Sequence, residues 1–581
     1  MRPYQAPKRA IIFRENSVPP HLRHSFAVVA LVSAPVIALA QEDASRIEKR
    51  FERPPEPKST LQPLLIPLPG HVPPEQADQI RFTLKELVLV GNTTFDTGEL
   101  LPLYANLLGK DITLLDIYRL RDAITAKYGN AGYGLSRALI PEQRIQAEGI
   151  VRIEILEGFV DEVIIEGASE DQQAFLAHAS KKIRAERPLN ARTLERYLLL
   201  ANDRYAIKVT ATMKKSEKTP AASTLILEVE PAPRLEGGAS IDNRGTDAVG
   251  PLQISGNVSV NGLFGHAAQT SLAYVTSEQP KELQYWSASH TEIVSDEGTA
   301  LTLSYNISTS RPGTPVLRLL EQKSDSDTWT LKLTHSFIRT RQENLSAHLK
   351  YEQKNTTSQS LGTITSEDKT RSVRAGISYD RADAHDGVNQ ALIEFSAGLR
   401  GLGATDQNST LRSRGDGRVD YRKLTINLSR NQELGYFSDS LSRFALNVAL
   451  MGQYAGTGLL SSEECGIGGQ QFGRAYDSSE ILGDRCLAAS LELRFTPSVA
   501  GTPFRYAQFY GFYDGGSTRN ENPLSATDPL TKSLSSAGIG LRFGLPGNIT
   551  GSIEATQPLT RSVANEGNKS ARIFGNLGVR F

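Results

Sequence analysis

The chain has 581 residues, with 64 Lys and Arg against 64 Asp and Glu, so its formal net charge is zero while 22% of its residues are charged. That balance excludes the basic excess on which nucleic-acid affinity depends. Mean hydropathy is −0.30, and beyond the N-terminus no apolar run approaches the roughly 20 residues of a membrane-spanning helix, so a helical membrane protein is excluded as well.

Lys8, Arg9, Arg14 and Arg23 precede the apolar stretch Phe26 to Leu39, and Ala38-Leu39-Ala40 offers small residues before Gln41. This is the pattern of a cleaved export signal over residues 1–40, which places the mature chain outside the cytoplasm. Gln41 to Arg53 reads as a short, highly charged helix. Prolines then cluster from Pro54 to Pro74, so 41–81 is expected to be a helix followed by an extended linker.

From Phe82 the chain alternates strand and helix. Phe82 to Val90 reads as a strand ending at Gly91-Asn92, and Asp96 as the N-cap of a helix near Thr97 to Leu107. Leu114 to Tyr128 has helical spacing, and Leu135 to Ile140 and Gly149 to Leu156 read as strands. The order recurs as a strand at Val160 to Ile165, helices within Asp171 to Lys182 and Ala191 to Tyr205, and strands at Ile207 to Met213 and Ser223 to Val229. A repeat of roughly 75 residues implies two copies of one α+β module, at 82–158 and 159–231. With GIVRIEILEG closing the first and the LNxxxLERxLLLxND pattern of Leu189 to Asp203 in the second, the pair resembles two POTRA domains of two-partner secretion transporters. The resemblance implies periplasmic docking platforms whose strand edges and grooves receive an extended client.

From 232 to 581 the period changes to two. Sixteen alternating segments run from Leu235 to Ile241 through Ile573 to Phe581, most with one apolar and one polar face. Lys332, Lys350, Glu394, Glu492, Arg494, Arg542 and Arg580 would line a wet lumen while aliphatic and aromatic residues face lipid, as in a 16-stranded antiparallel transmembrane β-barrel. Linkers after even strands are tight, whereas Ser308 to Thr328, Gln353 to Arg371 and Gly401 to Arg418 read as long polar loops. Short periplasmic turns and long outer loops match an outer-membrane barrel with its N-terminus in the periplasm. The alternation Leu577, Val579, Phe581 at the C-terminus resembles the signal read by the barrel-assembly machinery.

The eleventh connection holds GIGGQQFGRAY from Gly466 to Tyr476, and the strand after the next carries Phe512-Tyr513-Asp514-Gly515-Gly516. These resemble the Arg-Gly-aromatic loop and the Phe-x-Asp-x-Gly wall motif of the transporter superfamily that includes two-partner secretion pores, with Ala475 standing where a glycine is usual. The resemblance implies a loop folded back into the lumen, with Arg474 and Tyr476 at its tip and a lock on the wall formed by Phe512, Asp514 and Gly516. A guanidinium fork on a carboxylate fixes orientation as a point charge does not. Cys465 and Cys486 bracket this loop. In an oxidising compartment a disulfide between them would close about 20 residues, worth roughly 3 kcal/mol in the chain-entropy model; the alternative is two unrelated thiols.

The residues form no HExxH, no phosphate loop and no metal-ligand spacing, so no catalytic residue, metal or cofactor is expected. From about Phe82 to Phe581 the chain resembles the transporter component of two-partner secretion, the TpsB or ShlB/FhaC/HecB haemolysin secretion/activation family. That resemblance implies an outer-membrane pore of a Gram-negative bacterium that recognises an unfolded TpsA-like exoprotein through its POTRA domains and passes it outward without ATP. Its other expected partners are the barrel-assembly machinery and periplasmic chaperones during biogenesis, and outer-membrane lipid and lipopolysaccharide; none is a nucleic acid. A barrel-assembly factor or a passive porin are the alternative readings.

Overall fold

A computed structural model of the chain describes residues 43–51, 55–61, 74–145, 149–219, 221–265, 267–522 and 528–581; the signal segment 1–40 and much of the Pro-rich stretch lie outside them. The first described element is helix α1 (Ala44–Phe51).

The strand expected over Phe82 to Val90 is two strands, β1 (Arg81–Thr83) and β2 (Glu86–Val90). Between them Leu84 N–H donates to Lys110 O at 3.1 Å and Lys85 N–H to Gly149 O at 2.9 Å, so the chain changes partner and Leu84 turns wholly into the core. Helix α2 (Thr97–Leu100) begins on a capping box in which Glu99 N–H donates to Asp96 at 2.8 Å and Asp96 N–H to Glu99 at 3.1 Å. It is shorter than expected, passing into a 3-10 turn at Leu101–Leu103 because Pro102 has no N–H to continue the α-helical ladder. Then follow β3 (Asp111–Thr113), α3 (Leu114–Asn130), β4 (Arg137–Leu139) and β5 (Ile150–Leu156). In the second module, β6 (Phe159–Glu166), α4 (Glu170–Ala185), α5 (Ala191–Asn202), β7 (Ile207–Lys215) and β8 (Ala222–Pro231) repeat the plan. The sheets run β2-β5-β4 and β6-β8-β7, each with its last strand central, parallel to its first and antiparallel to the one before it. Helix α5 stops three residues before Tyr205 because the Asn202 side chain bonds both the N–H and the carbonyl of Val209, each at 2.8 Å.

The remainder is a closed antiparallel barrel. Its strands are β9 (Leu235–Asp242), β10 (Gln253–Asn261), β11 (Ala268–Ser277), β12 (Leu283–Ser295), β13 (Thr299–Ser310), β14 (Lys323–Arg339), β15 (Glu343–Ser360), β16 (Thr363–Ala382), β17 (Gly387–Gly398), β18 (Arg422–Glu433) and β19 (Phe444–Ala455). After a small pair formed by β20 (Cys465–Ile467) and β21 (Ile481–Gly483), the barrel resumes with β22 (Arg485–Phe495), β23 (Tyr506–Arg519), β24 (Thr531–Leu545), β25 (Ile549–Pro558) and β26 (Arg572–Arg580). Strand β26 closes on β9 from Asn576↔Asp242 to Arg580↔Gly238, so 16 strands form one cylinder. Alternation decides the faces: Leu487, Leu491, Leu493 and Ile539 are exposed outward while Glu492, Asp514 and Glu554 are buried within. Across neighbouring strands the outward aromatics Tyr274 and Trp286 pair with ring centroids 4.1 Å apart, and Tyr305 and Trp329 at 4.2 Å.

Of the expected outer loops, one is largely strand and another partly so. Gln353 to Arg371 continues the ladder of β15 and β16 to a tight turn at Leu361-Gly362, where both residues have positive φ, +50° and +72°. Its cross-strand pairs are polar on both faces, Thr357↔Glu367 on one and Thr356↔Asp368 on the other, so the apolar alternation that marks the membrane band is missing although the backbone is the same. Between Ser308 and Thr328 the chain likewise stays extended to Ser310, makes helix α6 (Pro315–Leu319) and resumes at Lys323.

The second module sits against the short-turn end of the barrel. Arg204 pairs with Asp296 at 2.7 Å while its guanidinium lies 3.6 Å over the Phe175 ring, and Arg339 forks onto Asp203 at 2.8 and 2.9 Å. Glu297, in the turn between β12 and β13, meets His178 at 3.1 Å, Lys182 at 3.1 Å and the Tyr197 hydroxyl at 3.0 Å. Partial burial favours its neutral form, but these donors outweigh burial and hold the carboxyl down at about 2. A folded value below the ordinary 4.5 means that the contribution of Glu297 is complete above the usual carboxylate range and is lost as pH falls through about 2. Spin labels on α4 and on the β14–β15 turn should therefore keep one distance from about pH 7 to about pH 4. Glu297→Gln should broaden that distance at neutral pH; an unchanged distribution would remove the carboxylate from the junction.

Candidate functional site

Two elements occupy the barrel lumen. The first is the β19–β22 connection. It leaves the wall after Ala455, forms the β20–β21 ladder with Cys465↔Gly483 and Ile467↔Ile481, and packs on the inner face of β22, β23 and β24. Cys465 and Cys486 are joined by a disulfide with Cα atoms 6.2 Å apart, so the stem of the loop is bonded to the start of the wall strand that follows it. A loop with this sequence separation of 21 gains about 3 kcal/mol from the crosslink in the chain-entropy model.

At the loop's inner end Arg474 is 5% exposed and Asp514 is fully buried. The Arg474 guanidinium donates to both Asp514 oxygens at 3.0 Å, and its backbone N–H donates to the same carboxylate at 3.0 Å. Phe512 places its ring 3.5 Å under that guanidinium, two residues before Asp514 and on the same face of β23. Gly516, the next inward position, seats the stem: a Cβ there would lie 2.8 Å from Ile467 Cδ1 and 3.1 Å from Ala488 Cβ. Tyr476 is buried against the neighbouring strand β24 and the β25–β26 connection, its hydroxyl 3.2 Å from the carbonyls of Ser535 and Arg561. Gly473, at φ +81°, makes the bend before the arginine, and Tyr476 N–H closes that turn on Gly473 O at 2.9 Å. Ala475 is absent from the positive-φ residues, so its methyl is accommodated without backbone strain.

Asp514 is not the only anion on Arg474. Glu492 also binds it, and the same carboxylate takes Arg494 at 2.7 Å and Arg542 at 2.8 and 3.0 Å, while Ser490 Oγ accepts from Arg474 at 3.1 Å. Glu492 reads from sequence as one of many lumen charges; its position two residues from Ser490 on the strand facing Asp514 becomes informative only once the register Ser490↔Asp514 is known. Beside it, Arg572 bonds Asp477 at 2.8 Å and the Ala475 carbonyl at 3.1 Å.

The second element is α1. Eight residues are too few to be helical alone in water, and this helix is held side chain by side chain. Glu48 meets Lys354 at 2.9 Å and accepts from Thr328 at 2.8 Å and Asn306 at 2.7 Å. Arg46 meets Glu464 at 2.7 Å, and Lys49 donates to the Glu464 carbonyl at 3.0 Å. Glu464 in turn takes Arg414 at 2.9 Å, and Arg414 takes Asp484 at 2.7 Å. The apolar side, Ile47 with Val249 and Leu283 and Phe51 against Tyr285, is small. Sequence reading sees the charged helix but not its partners, which are scattered over four strands and two loops.

Leu577, Val579 and Phe581 lie on the outward face, 48%, 40% and 68% exposed, and Phe581 exchanges backbone hydrogen bonds of 3.0 Å with Gly237 across the closing seam.

The architecture, α+β modules ahead of a sixteen-stranded barrel with a loop and a helix inside it, is that of an outer-membrane transporter with periplasmic POTRA domains. Residues 221–543 match the model of the haemolysin secretion/activation protein family ShlB/FhaC/HecB, and residues 82–158 match the ShlB-type POTRA domain. The chain belongs to the ShlB/FhaC/HecB family, whose members are transporters of two-partner secretion and not enzymes. It is 23% identical to the heme/hemopexin transporter protein HuxB of Haemophilus influenzae over 559 residues, 94% of this chain and 97% of that one. It is also 26% identical to the outer membrane transporter CdiB of Dickeya dadantii over 70% of each chain. In structure it is similar to CdiB from Escherichia coli, with a TM-score of 0.69 at 20% identity, covering 98% of this chain and all of that one.

Arg474→Ala removes one partner from a shielded charge cluster, a loss of about 3–5 kcal/mol locally. The barrel should still insert and show heat-modifiable mobility on gels, while limited proteolysis cuts the loop faster. Arg474→Lys, which keeps charge but not the fork, should fall between the two. Peptide mapping should show Cys465 and Cys486 in one crosslinked fragment that separates on reduction.

Proposed function

We propose that the chain exports an unfolded TpsA-like partner exoprotein from the periplasm to the cell surface without ATP. The modules at 82–158 and 159–231 receive the partner and the barrel at 232–581 conducts it. What supports this reading above all is the character of the lumen contacts. Helix α1 is held by ion pairs and hydrogen bonds with a small apolar patch. Every charged group it leaves behind keeps another partner or meets water as the lumen fills, so withdrawal exposes little apolar surface and needs no nucleotide. Mixed charge in the lumen, with Arg374 of the wall against Glu352 at 2.6 Å and against Glu463 of the inward loop at 2.9 Å, suits passage of a chain of either sign. The names of the relatives, a heme/hemopexin transporter and an outer membrane transporter, agree with export.

In this reading the Arg474–Asp514 lock, with Phe512, Gly516 and Tyr476, fixes the loop as a constant part of the wall, and the disulfide fixes its stem. Residues 1–40 direct the chain to the periplasm, where chaperones accompany it to the barrel-assembly machinery. Leu577, Val579 and Phe581 engage that machinery before they face lipid and lipopolysaccharide.

The test is secretion of a large β-helical exoprotein encoded beside this chain. The exoprotein should reach the medium only when the chain is present, and purified chain in liposomes should pass it without ATP; secretion from cells lacking the chain would refute the proposal. Deleting residues 44–51 should raise single-channel conductance in planar bilayers severalfold, and unchanged conductance would mean that α1 does not obstruct the pore.

A further inference from the structure

The two cysteines belong to one local unit of chain. They stand 21 positions apart, the β20–β21 ladder sets Cys465 opposite Gly483, and only Asp484 and Arg485 separate that glycine from Cys486. No other barrel strand is needed to bring the thiols together. The lock inside the same loop is different: Arg474 needs Asp514 on β23, and Tyr476 needs Ser535 on β24 and Arg561 beyond β25. Short loops close at a lower entropic cost than long ones, and local contacts form earlier. The cysteines can therefore meet before the lock exists.

The closed barrel then covers the bond. Cys486 lies on the lumen face of β22, because Leu487 beside it is 65% exposed toward lipid. Cys465 and Cys486 are 7% and 9% exposed and belong to one apolar cluster with Ile467, Ala488 and Leu534. The cover comes from distant parts of the chain. Glu464, next to Cys465, takes Arg46 of α1 at 2.7 Å and Arg414 of the β17–β18 loop at 2.9 Å. Asp484, two residues before Cys486, is fully buried and accepts from Leu459 N–H at 2.7 Å and from Glu521 N–H of the β23–β24 connection at 2.8 Å. A thiol-oxidising protein has to bring its own disulfide sulfur onto one of the two thiols, and this enclosed part of the lumen leaves no room for one.

We propose that Cys465 and Cys486 are joined on the unassembled chain, by thiol–disulfide exchange with a dithiol oxidase of the periplasm, before the barrel closes. One cysteine thiolate attacks the oxidase's disulfide to give a mixed disulfide, and the second thiolate displaces it. The chain gives up two protons and two electrons, and the oxidase leaves as a dithiol. With β20 bonded to β22, the loop enters the forming lumen on a fixed stem, and Arg474 meets its wall partners as β23 and β24 pair.

The experiment follows the full chain in cells by pulse labelling, with acid quenching, unfolding and alkylation by a large maleimide. Gels of heated and unheated samples separate the folded barrel from unassembled chain. The chain has two cysteines, so each species should carry either no adduct or two. The oxidised, unassembled chain should appear first, and it should accumulate when the barrel-assembly machinery is depleted. In cells lacking the oxidase its formation should slow severalfold. Cys465→Ala, in which Cys486 must always react, shows that alkylation is complete. A folded barrel that carries two reactive thiols and loses them during the chase would overturn the proposal. So would a chain that stays reduced when assembly is blocked, or oxidation at an unchanged rate without the oxidase. In detergent, a thioredoxin-type protein reductant should leave the folded chain oxidised and should reduce it once urea removes its heat-modifiable mobility; reduction of the folded barrel would refute the shielding on which the order of events depends.

Discussion

Everything in this molecule follows from the demand that backbone amides and carbonyls in lipid be hydrogen-bonded within the protein. A sheet meets that demand only if it has no edge. The seam of β26 with β9, extended by the reciprocal bonds of Phe581 with Gly237, is the contact that abolishes the edge. Once it forms, alternation sends every second residue to lipid and every other one to an enclosed space, and it is the enclosed half that carries function.

That space is rich in charge, and its occupants are bound by the same currency as its walls. The Arg474 cluster is dense: one guanidinium, two carboxylates, an aromatic face and a backbone N–H converge within one strand register. Helix α1 is bound more thinly, through Arg46, Glu48 and Lys49 and a few apolar contacts. The loop is additionally bonded covalently to the wall through Cys465 and Cys486, whereas α1 is joined to the rest of the chain by a Pro-rich linker. The two lumen elements therefore differ in how easily they can leave. Glu464 joins them, accepting Arg46 from the helix and Arg414 from the outer loop next to the disulfide. It stays paired when the helix withdraws.

Composition alone would place the chain among soluble proteins. A barrel escapes that test because its lipid-facing residues are interleaved with wet ones. The same interleaving explains where sequence reading was reliable. All sixteen barrel strands show themselves where one face is apolar, but the outer halves of β15 and β16 read as loop because both their faces are polar. Chain-local features in the modules were legible to within a few residues, such as the Asp96 cap and the helix of Leu114–Asn130. The break at Leu84 was not, since it depends on which distant backbone, Lys110 or Gly149, the chain meets next.

The sequence by itself determined the order of elements, the number of barrel strands, the inward face of β23 and the candidates Arg474 and Asp514, because periodicity and motif spacing are local properties of the chain. Tertiary structure alone decided the rest. It brought Arg474 and Arg542 to one carboxylate, Glu492, set α1 among Lys354, Glu464 and Arg414, and turned His178 and Lys182 toward Glu297. Those partners are separated by tens to hundreds of residues. No local pattern distinguishes a charge that meets its counterpart across the lumen from one that meets only water, and only closure of the barrel chooses between them.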